Sequence, residues 1–206
     1  MSASAVGAVV LAAGAGSRMG EPKQLLRFEG ETLLRRAVRS AVEAGCRPVV
    51  VVLGARAEEM RAEAEWGGAL VVVNEDWAEG MGSSLGRGLG ALLSADEAAE
   101  ASVVILCDQP LVTSLSITQL IDAYNATRAP VVASEYGERE ARTRGVPALF
   151  ARSLFKELLR LRGPVGAKGV IERHAAAASF VPLDAAAIDV DTPDDYRALL
   201  DPESRV

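Results

Sequence analysis

From Val10 to Leu26 the chain reads VLAAGAGSRMGEPKQLL, an apolar strand that runs into Gly14, Gly16 and Gly20 and then into Pro22 and Lys23. This stretch constrains the fold most strongly, because its residue types build a backbone cradle for an anion before any helix can start. Glycine lets main-chain N–H groups approach phosphate oxygens with no Cβ in the way, and Arg18 and Lys23 supply countercharge. Lys23 stands out further, since arginine dominates the basic residues and only Lys156 and Lys168 share its type. A lysine placed in a glycine loop points to a nucleotide triphosphate.

The 206 residues are 50% apolar and 24% charged, the make-up of an ordinary globular protein with a buried core. One domain over 1–206 is expected, with a nucleotide-binding half over about 1–110 and an acceptor half over about 111–200. A net charge of −6 argues against a nucleic-acid or anionic-membrane surface. The opening MSASAVGAVVLAAG has no basic lead and its apolar run is broken by glycine, so neither a signal peptide nor a membrane span is expected. Cys46 and Cys107 have no CxxC spacing and read as buried free thiols of a cytoplasmic protein.

Apolar runs at Val6–Leu11, Val49–Leu53, Leu70–Val73, Val103–Leu106 and Val131–Ala133 alternate with helical patterns. Leu34, Ala37, Val38, Ala41 and Val42 form one helical stripe that stops at Gly45. Ile117, Leu120, Ile121 and Tyr124 form another behind Thr113 and Ser114, either of which can cap it. Further helices are expected at Ala57–Trp66, Ser84–Leu93, Arg152–Leu161 and Pro193–Leu200. Continuous rather than alternating apolar strands predict an α/β fold with a mostly parallel sheet covered on both faces. Ligands of such sheets lie beyond the carboxyl ends of the strands. The polar oddities gather there: Gly14 to Lys23, Asn74 to Ser84, Asp108, and Asp189 with Asp191.

The glycine loop is not a Walker A loop, which needs Lys and then Ser or Thr directly after its last glycine, whereas Gly20 is followed by Glu21-Pro22-Lys23-Gln24. Gly14, Gly16 and Gly20 fit a loose dinucleotide fingerprint, with Arg56 as a possible partner for a 2′-phosphate. A Rossmann turn, however, passes at once into a helix, and here polar residues continue to about Thr32.

The stretch closely resembles the L-A-[AG]-G-x-x-x-R-[ML]-G-x-x-K signature of the MobA-like nucleotidyltransferases. Its second alanine is similar to the molybdenum cofactor cytidylyltransferase branch. NEDWAEGMGSSLGRGL, CDQPLVT and DVDTPDDY resemble further segments of the family. RGVPALF departs from its pattern at Val146, where a polar residue is usual, and RGPVGAKG keeps Gly166 and Ala167 but carries Pro164 in place of an aspartate.

The resemblance implies a three-layer Rossmann-like nucleotidyltransferase fold and transfer of CMP from CTP to the phosphate of molybdopterin cofactor, with Ala13 tilting the base toward cytosine. Arg18, Lys23 and Asp108 are the expected catalytic residues. Leu11, Ala12, Ala13, Gly14, Gly16, Ser17, Arg18 and Lys23, with Gly82, Ser83 and Ser84, are expected to bind the nucleotide. Ser83 and Ser84 could equally cap the helix that follows. Mg²⁺ is expected on Asp108 and Asp191, with Asp189 beside them; two apart in an extended segment, those last two point to one side. Asp191 could instead cap the helix that starts at Pro193.

An acceptor that ends in a phosphate monoester is largely a dianion at neutral pH, its second pKa being about 6, so no general base is needed. His174 is then structural. Asn74 and Trp77 are candidates for the pocket wall, and Trp66 for packing. The rival readings are guanylyl or other nucleotidyl transfer to a small phosphate, and a non-catalytic carrier of the cofactor. A molybdenum hydroxylase is the expected partner in either case.

Overall fold

The computed structural model describes residues 5–62, 66–138 and 142–201. In chain order these form β1 (Val6–Ala12), a small hairpin of β2 (Arg27–Phe28) and β3 (Glu31–Thr32), α1 (Leu33–Glu43), β4 (Val49–Leu53), α2 (Ala57–Arg61) and β5 (Leu70–Val73). There follow α3 (Met81–Ala95), β6 (Ala101–Leu106), α4 (Ser114–Thr127), β7 (Val131–Tyr136), β8 (Thr143–Ala151), α5 (Phe155–Leu158), α6 (Ala167–Arg173), β9 (Ser179–Pro182) and α7 (Pro193–Leu200).

Seven strands form one sheet in the order β5-β4-β1-β6-β8-β7-β9. All pairings are parallel except those of β8, which runs antiparallel to both β6 and β7. The expected α/β architecture with a mostly parallel sheet is therefore the one observed.

Strand β1 shows why its run is continuous. Ala8, Val10 and Ala12 enter one core with α1 and α4, while Val9 and Leu11 enter another with α3, Leu158 and Val170. Each face of the sheet thus has its own apolar layer, as strands flanked by helices require. Gly88 of α3 lies so close to the sheet that a Cβ there would stand 2.5 Å from Val9 and 2.6 Å from Val52.

Strand β8 escapes the sequence reading because Gly145 and Pro147 interrupt it. Proline is confined to edges and bulges of a sheet, and here a bulge accommodates it. The register shifts so that Ala133 pairs with Ala148 but Ser134 pairs with Gly145, leaving Val146 and Pro147 between them. The Ser134 hydroxyl donates to the Pro147 carbonyl at 2.6 Å. Strand β9 is also absent from that reading. Helix α2 closes at Arg61 rather than Trp66, with part of the expected span, 63–65, outside the described residues. Within the expected Arg152–Leu161 helix only Phe155–Leu158 is α-helical, after a 3₁₀ turn over Arg152–Leu154.

Among the described residues no helix is long and apolar enough to cross a membrane. Both cysteines are free and buried. Burial pushes the Cys46 thiol up to about 12, and burial next to the Asp108 charge pushes Cys107 well above its ordinary range. Native protein at pH 8 is accordingly expected to show no fast reaction with a thiol-specific disulfide reagent, and both thiols should titrate after unfolding. A rapid native-state reaction at either cysteine contradicts the packing.

Candidate active site

The carboxyl edge of the sheet is assembled from three chain segments. After β1 the chain forms an irregular loop, and Lys23 opens a single 3₁₀ turn, Lys23–Leu25. Asp108 follows β6, its carbonyl accepting from the Val190 N–H at 2.9 Å, so that an extended C-terminal segment lies against it. Val190 is fully buried with Met19, Leu26, Phe28, Leu33 and Leu199. That small core pins the loop after β1 to the segment before α7, and the Tyr196 hydroxyl adds a bond to the Arg27 carbonyl at 2.7 Å. Residues far apart in sequence thereby meet.

Lys23 donates to Oδ2 of Asp108 and, at 2.8 Å, to Oδ1 of Asp191. The other Asp191 oxygen accepts from Arg18 Nη2 at 2.8 Å. Side-chain exposure separates the members: 13% for Lys23 and 16% for Asp108, but 68% for Arg18. Lys23 is thus a fixed charge, and Arg18 an exposed arm tied to Asp191. Burial alone would lower the Lys23 pKa, but the charges and hydrogen bonds of Asp108 and Asp191 outweigh it and hold the ammonium above its ordinary range. The same hydrogen bond from Lys23 holds Asp191 below the usual carboxylate range. Helix α7 is capped by Thr192 with Asp195, so Asp191 is not its cap.

Two glycines of the loop have a conformational reason to be there. Gly16 has φ of +62°, with a built Cβ 3.0 Å from the Glu21 carbonyl, and Gly20 has φ of +81°. Gly14 has neither constraint, and a Cβ there meets no protein atom within 4 Å. Gly16→Ala is therefore expected to lose about 1–2 kcal/mol of stability through left-handed strain, read from a denaturant titration. Gly14→Ala should fold like the wild type, since the added methyl group meets open space, and if the loop is a phosphate cradle it should lose nucleotide affinity instead. Equal stability of the two variants contradicts this division.

A cavity of about 330 Å³ opens beside the loop. Of the residues expected to bind nucleotide, Leu11, Ala12, Ala13, Gly14, Lys23 and Ser84 line it, together with Asp108. Gly16, Ser17 and Arg18 continue the loop. The N–H groups of Gly14, Ala15, Gly16 and Ser17 have no protein acceptor among the described residues. Gly82 instead packs on the Arg162 backbone, where a Cβ would come within 2.9 Å, and its N–H donates to the Gly163 carbonyl.

The Ser83 hydroxyl is engaged by the Gly80 and Asp76 carbonyls. Buried Asn74 donates to Ser83 and Ser84 at 2.9 and 3.0 Å, so it braces the start of α3, whereas Trp77 reaches the cavity wall. Neither serine caps α3, whose N-cap is Gly80.

A second cavity, about 240 Å³, shares Met81 and Leu106 with the first. Gln109, Tyr136, Arg144, Lys168 and Asp189 give it a polar lining that the sequence did not single out except at Asp189. Val146 and Pro164, the two departures from the family pattern, both lie on its wall. Burial and the neighbouring Asp108 charge push the Asp189 carboxyl up to about 6.

Among the described residues no group of three His, Cys, Asp or Glu side chains converges to hold a metal ion alone. Oδ1 of Asp108 is nevertheless buried and has no hydrogen-bond partner among the described residues. One free carboxylate oxygen, with Asp191 alongside, fits a hard cation that uses one or two carboxylates and takes its remaining ligands from phosphate. Elsewhere, Arg56 is tied to Glu59 at 2.6 and 2.7 Å and is not free for a 2′-phosphate, while His174 pairs with Glu157 at 2.8 Å.

The chain is 40% identical over 124 residues to nicotine blue oxidoreductase of Paenarthrobacter nicotinovorans, a match covering 58% of this chain and 57% of that protein. It is 36% identical over 132 residues to a probable molybdenum cofactor guanylyltransferase of Opitutus terrae, covering 63% of this chain and 61% of that protein. The matches thus span little more than half of either relative.

Among solved structures, Rv0371c of Mycobacterium tuberculosis H37Rv is 34% identical with a TM-score of 0.83, covering 97% of this chain and 99% of that one. A manganese complex of Rv0371c is 33% identical with a TM-score of 0.77, covering 95% of this chain and 97% of that one. The family model described as MobA-like NTP transferase domain matches residues 8–178, and the chain belongs to that family.

Proposed function

We propose that the protein is a Mg²⁺-dependent cytidylyltransferase that moves CMP from CTP to the phosphate of a molybdopterin-type acceptor and releases pyrophosphate. The observation that carries this reading is the ammonium of Lys23 set between Asp108 and Asp191, beside a loop whose amides at 14–17 have no protein acceptor among the described residues. Amides of the loop, Lys23 and Arg18 would neutralise the β- and γ-phosphates and keep that charge on the departing pyrophosphate. Asp108 and Asp191 would hold the divalent ion, which supplies charge neutralisation at the α-phosphate. Arg144 and Lys168 in the adjoining cavity suit an anionic acceptor, already charged for attack without a base. Ala13, on the wall of the first cavity, supports CTP by resemblance, and a molybdenum hydroxylase is the proposed recipient of the product.

The test is to incubate the protein with Mg²⁺, each of the four nucleoside triphosphates and the cofactor, or another small phosphate, and to follow pyrophosphate. CTP with the cofactor is the expected productive pair. Turnover with GTP alone overturns the reading of Ala13, and nucleotide binding with no pyrophosphate from any pair favours a carrier. The relative named for an oxidoreductase supports one second reading, a redox reaction at the same cavity. Oxidation of NADH or NADPH by this protein in the presence of a quinonoid dye, with no pyrophosphate chemistry, would establish it instead.

A further inference from the structure

We infer that Gln24 is the strut that sets the phosphate-binding face of the loop, a positioning residue beside the charged Lys23. The inference rests on the reading of the first cavity as a triphosphate site. Gln24 is 1% exposed, an unusual burial for a primary amide. Its Nε2 donates to the carbonyl of Ala12 at 3.0 Å and to that of Gly14 at 2.7 Å. Both amide hydrogens are thereby used, and the side chain has one orientation, since the reverse would set Oε1 against two carbonyl oxygens.

Across a trans peptide the C=O and the following N–H point in opposite directions. Drawing the Gly14 carbonyl onto Gln24 therefore turns the Ala15 N–H away from Gln24. The Ala13 carbonyl is held in the same manner by the Ala55 N–H at 3.1 Å, which turns the Gly14 N–H away from Ala55. Those two amides are among the ones with no protein acceptor in the described residues. Peptide planes after Ala12, Ala13 and Gly14 are thus all fixed from the protein side, two of them by a single side chain. Gln24 also follows Lys23 in the same 3₁₀ turn, so one element sets both the loop's shape and the place of the ammonium.

Gln24→Met keeps the volume and loses the donors, and Gln24→Glu keeps the shape but offers the two carbonyls only acceptors. The readouts are dissociation constants for CTP and for inorganic tripolyphosphate, with cytidine as the probe that lacks phosphate, and the melting temperature of each variant. Both variants are expected to weaken CTP and tripolyphosphate by about tenfold or more, the size expected for misdirecting a few hydrogen bonds, with cytidine unchanged. A Gln24→Glu variant that binds tripolyphosphate like the wild type overturns the strut. An equal loss for cytidine and tripolyphosphate also overturns it, since that marks general damage to the fold. Failure of the wild type to bind either triphosphate or tripolyphosphate overturns the site reading itself, and the strut with it.

Discussion

Asp108→Asn is expected to slow pyrophosphate release by about a thousandfold while the protein stays folded, because it removes a fixed charge that acts where charge develops. The carboxylate has two separate tasks in the structure. Oδ2 accepts from Lys23, and Oδ1 is buried with no partner among the described residues, the oxygen suited to a divalent ion. Asparagine preserves the volume and still accepts from Lys23, but it cannot offer a metal a second charged oxygen. Breaking a buried ion pair by removing one partner costs about 3–5 kcal/mol when the other charge is stranded. Lys23 is not stranded here, since Asp191 remains bonded to it at 2.8 Å, so the stability loss should fall below that range.

A second readout tests the electrostatics alone. Asp189, pushed up to about 6 by burial and by Asp108, should titrate closer to an ordinary carboxylate in the variant, which carboxyl-detected NMR can follow. An unchanged rate with an unchanged Asp189 titration contradicts the placement of Asp108.

Lys23→Met should lower kcat by about a hundred- to a thousandfold with a smaller effect on KM, if the ammonium acts mainly on the charge that moves to the leaving group. Its stability signature has a sign set by the two directions of pKa shift. Asp191 is held below its ordinary range by Lys23, so its contribution is present above the unfolded carboxylate pKa and is lost as pH falls through the folded value. Lys23 is held above its ordinary range, so its contribution is complete below the unfolded lysine pKa and is lost as pH rises toward the folded value.

The stability gap between wild type and variant should therefore be flat through the neutral range. It should shrink below about pH 4 and above about pH 10, the unfolded values of the two groups. Denaturant titrations across pH measure it. A gap that peaks at either extreme contradicts the ion pairing.

Much of this arrangement was legible because it depends on short-range chemistry. The strand before Gly14 reads from its run of Val and Leu, and the glycine loop from residue types that tolerate left-handed backbone, as Gly16 and Gly20 do. Lys23 was legible by rarity, and the nearness of Asp191 only by resemblance, since the small core of Met19, Phe28 and Val190 that joins them has no local signature. Strand β8 was hidden by Pro147, which a bulge absorbs through a pairing that no local window contains.

Gln24, Gln109 and Arg144 escaped notice for a related reason. A glutamine beside a lysine reads as a solvated side chain until the fold places its amide against the carbonyls of Ala12 and Gly14. The second cavity draws Tyr136, Arg144 and Lys168 from three elements, so its charge pattern exists only after folding.

The most direct measurement is a crystal structure with a non-hydrolysable CTP analogue and Mn²⁺, the metal located by its anomalous signal. The account predicts manganese on Asp108 and Asp191, the β- and γ-phosphates on the amides of residues 14–17, and Lys23 and Arg18 turned onto those phosphates. Manganese bound away from both aspartates, or a triphosphate with no contact to the loop after β1, would contradict it.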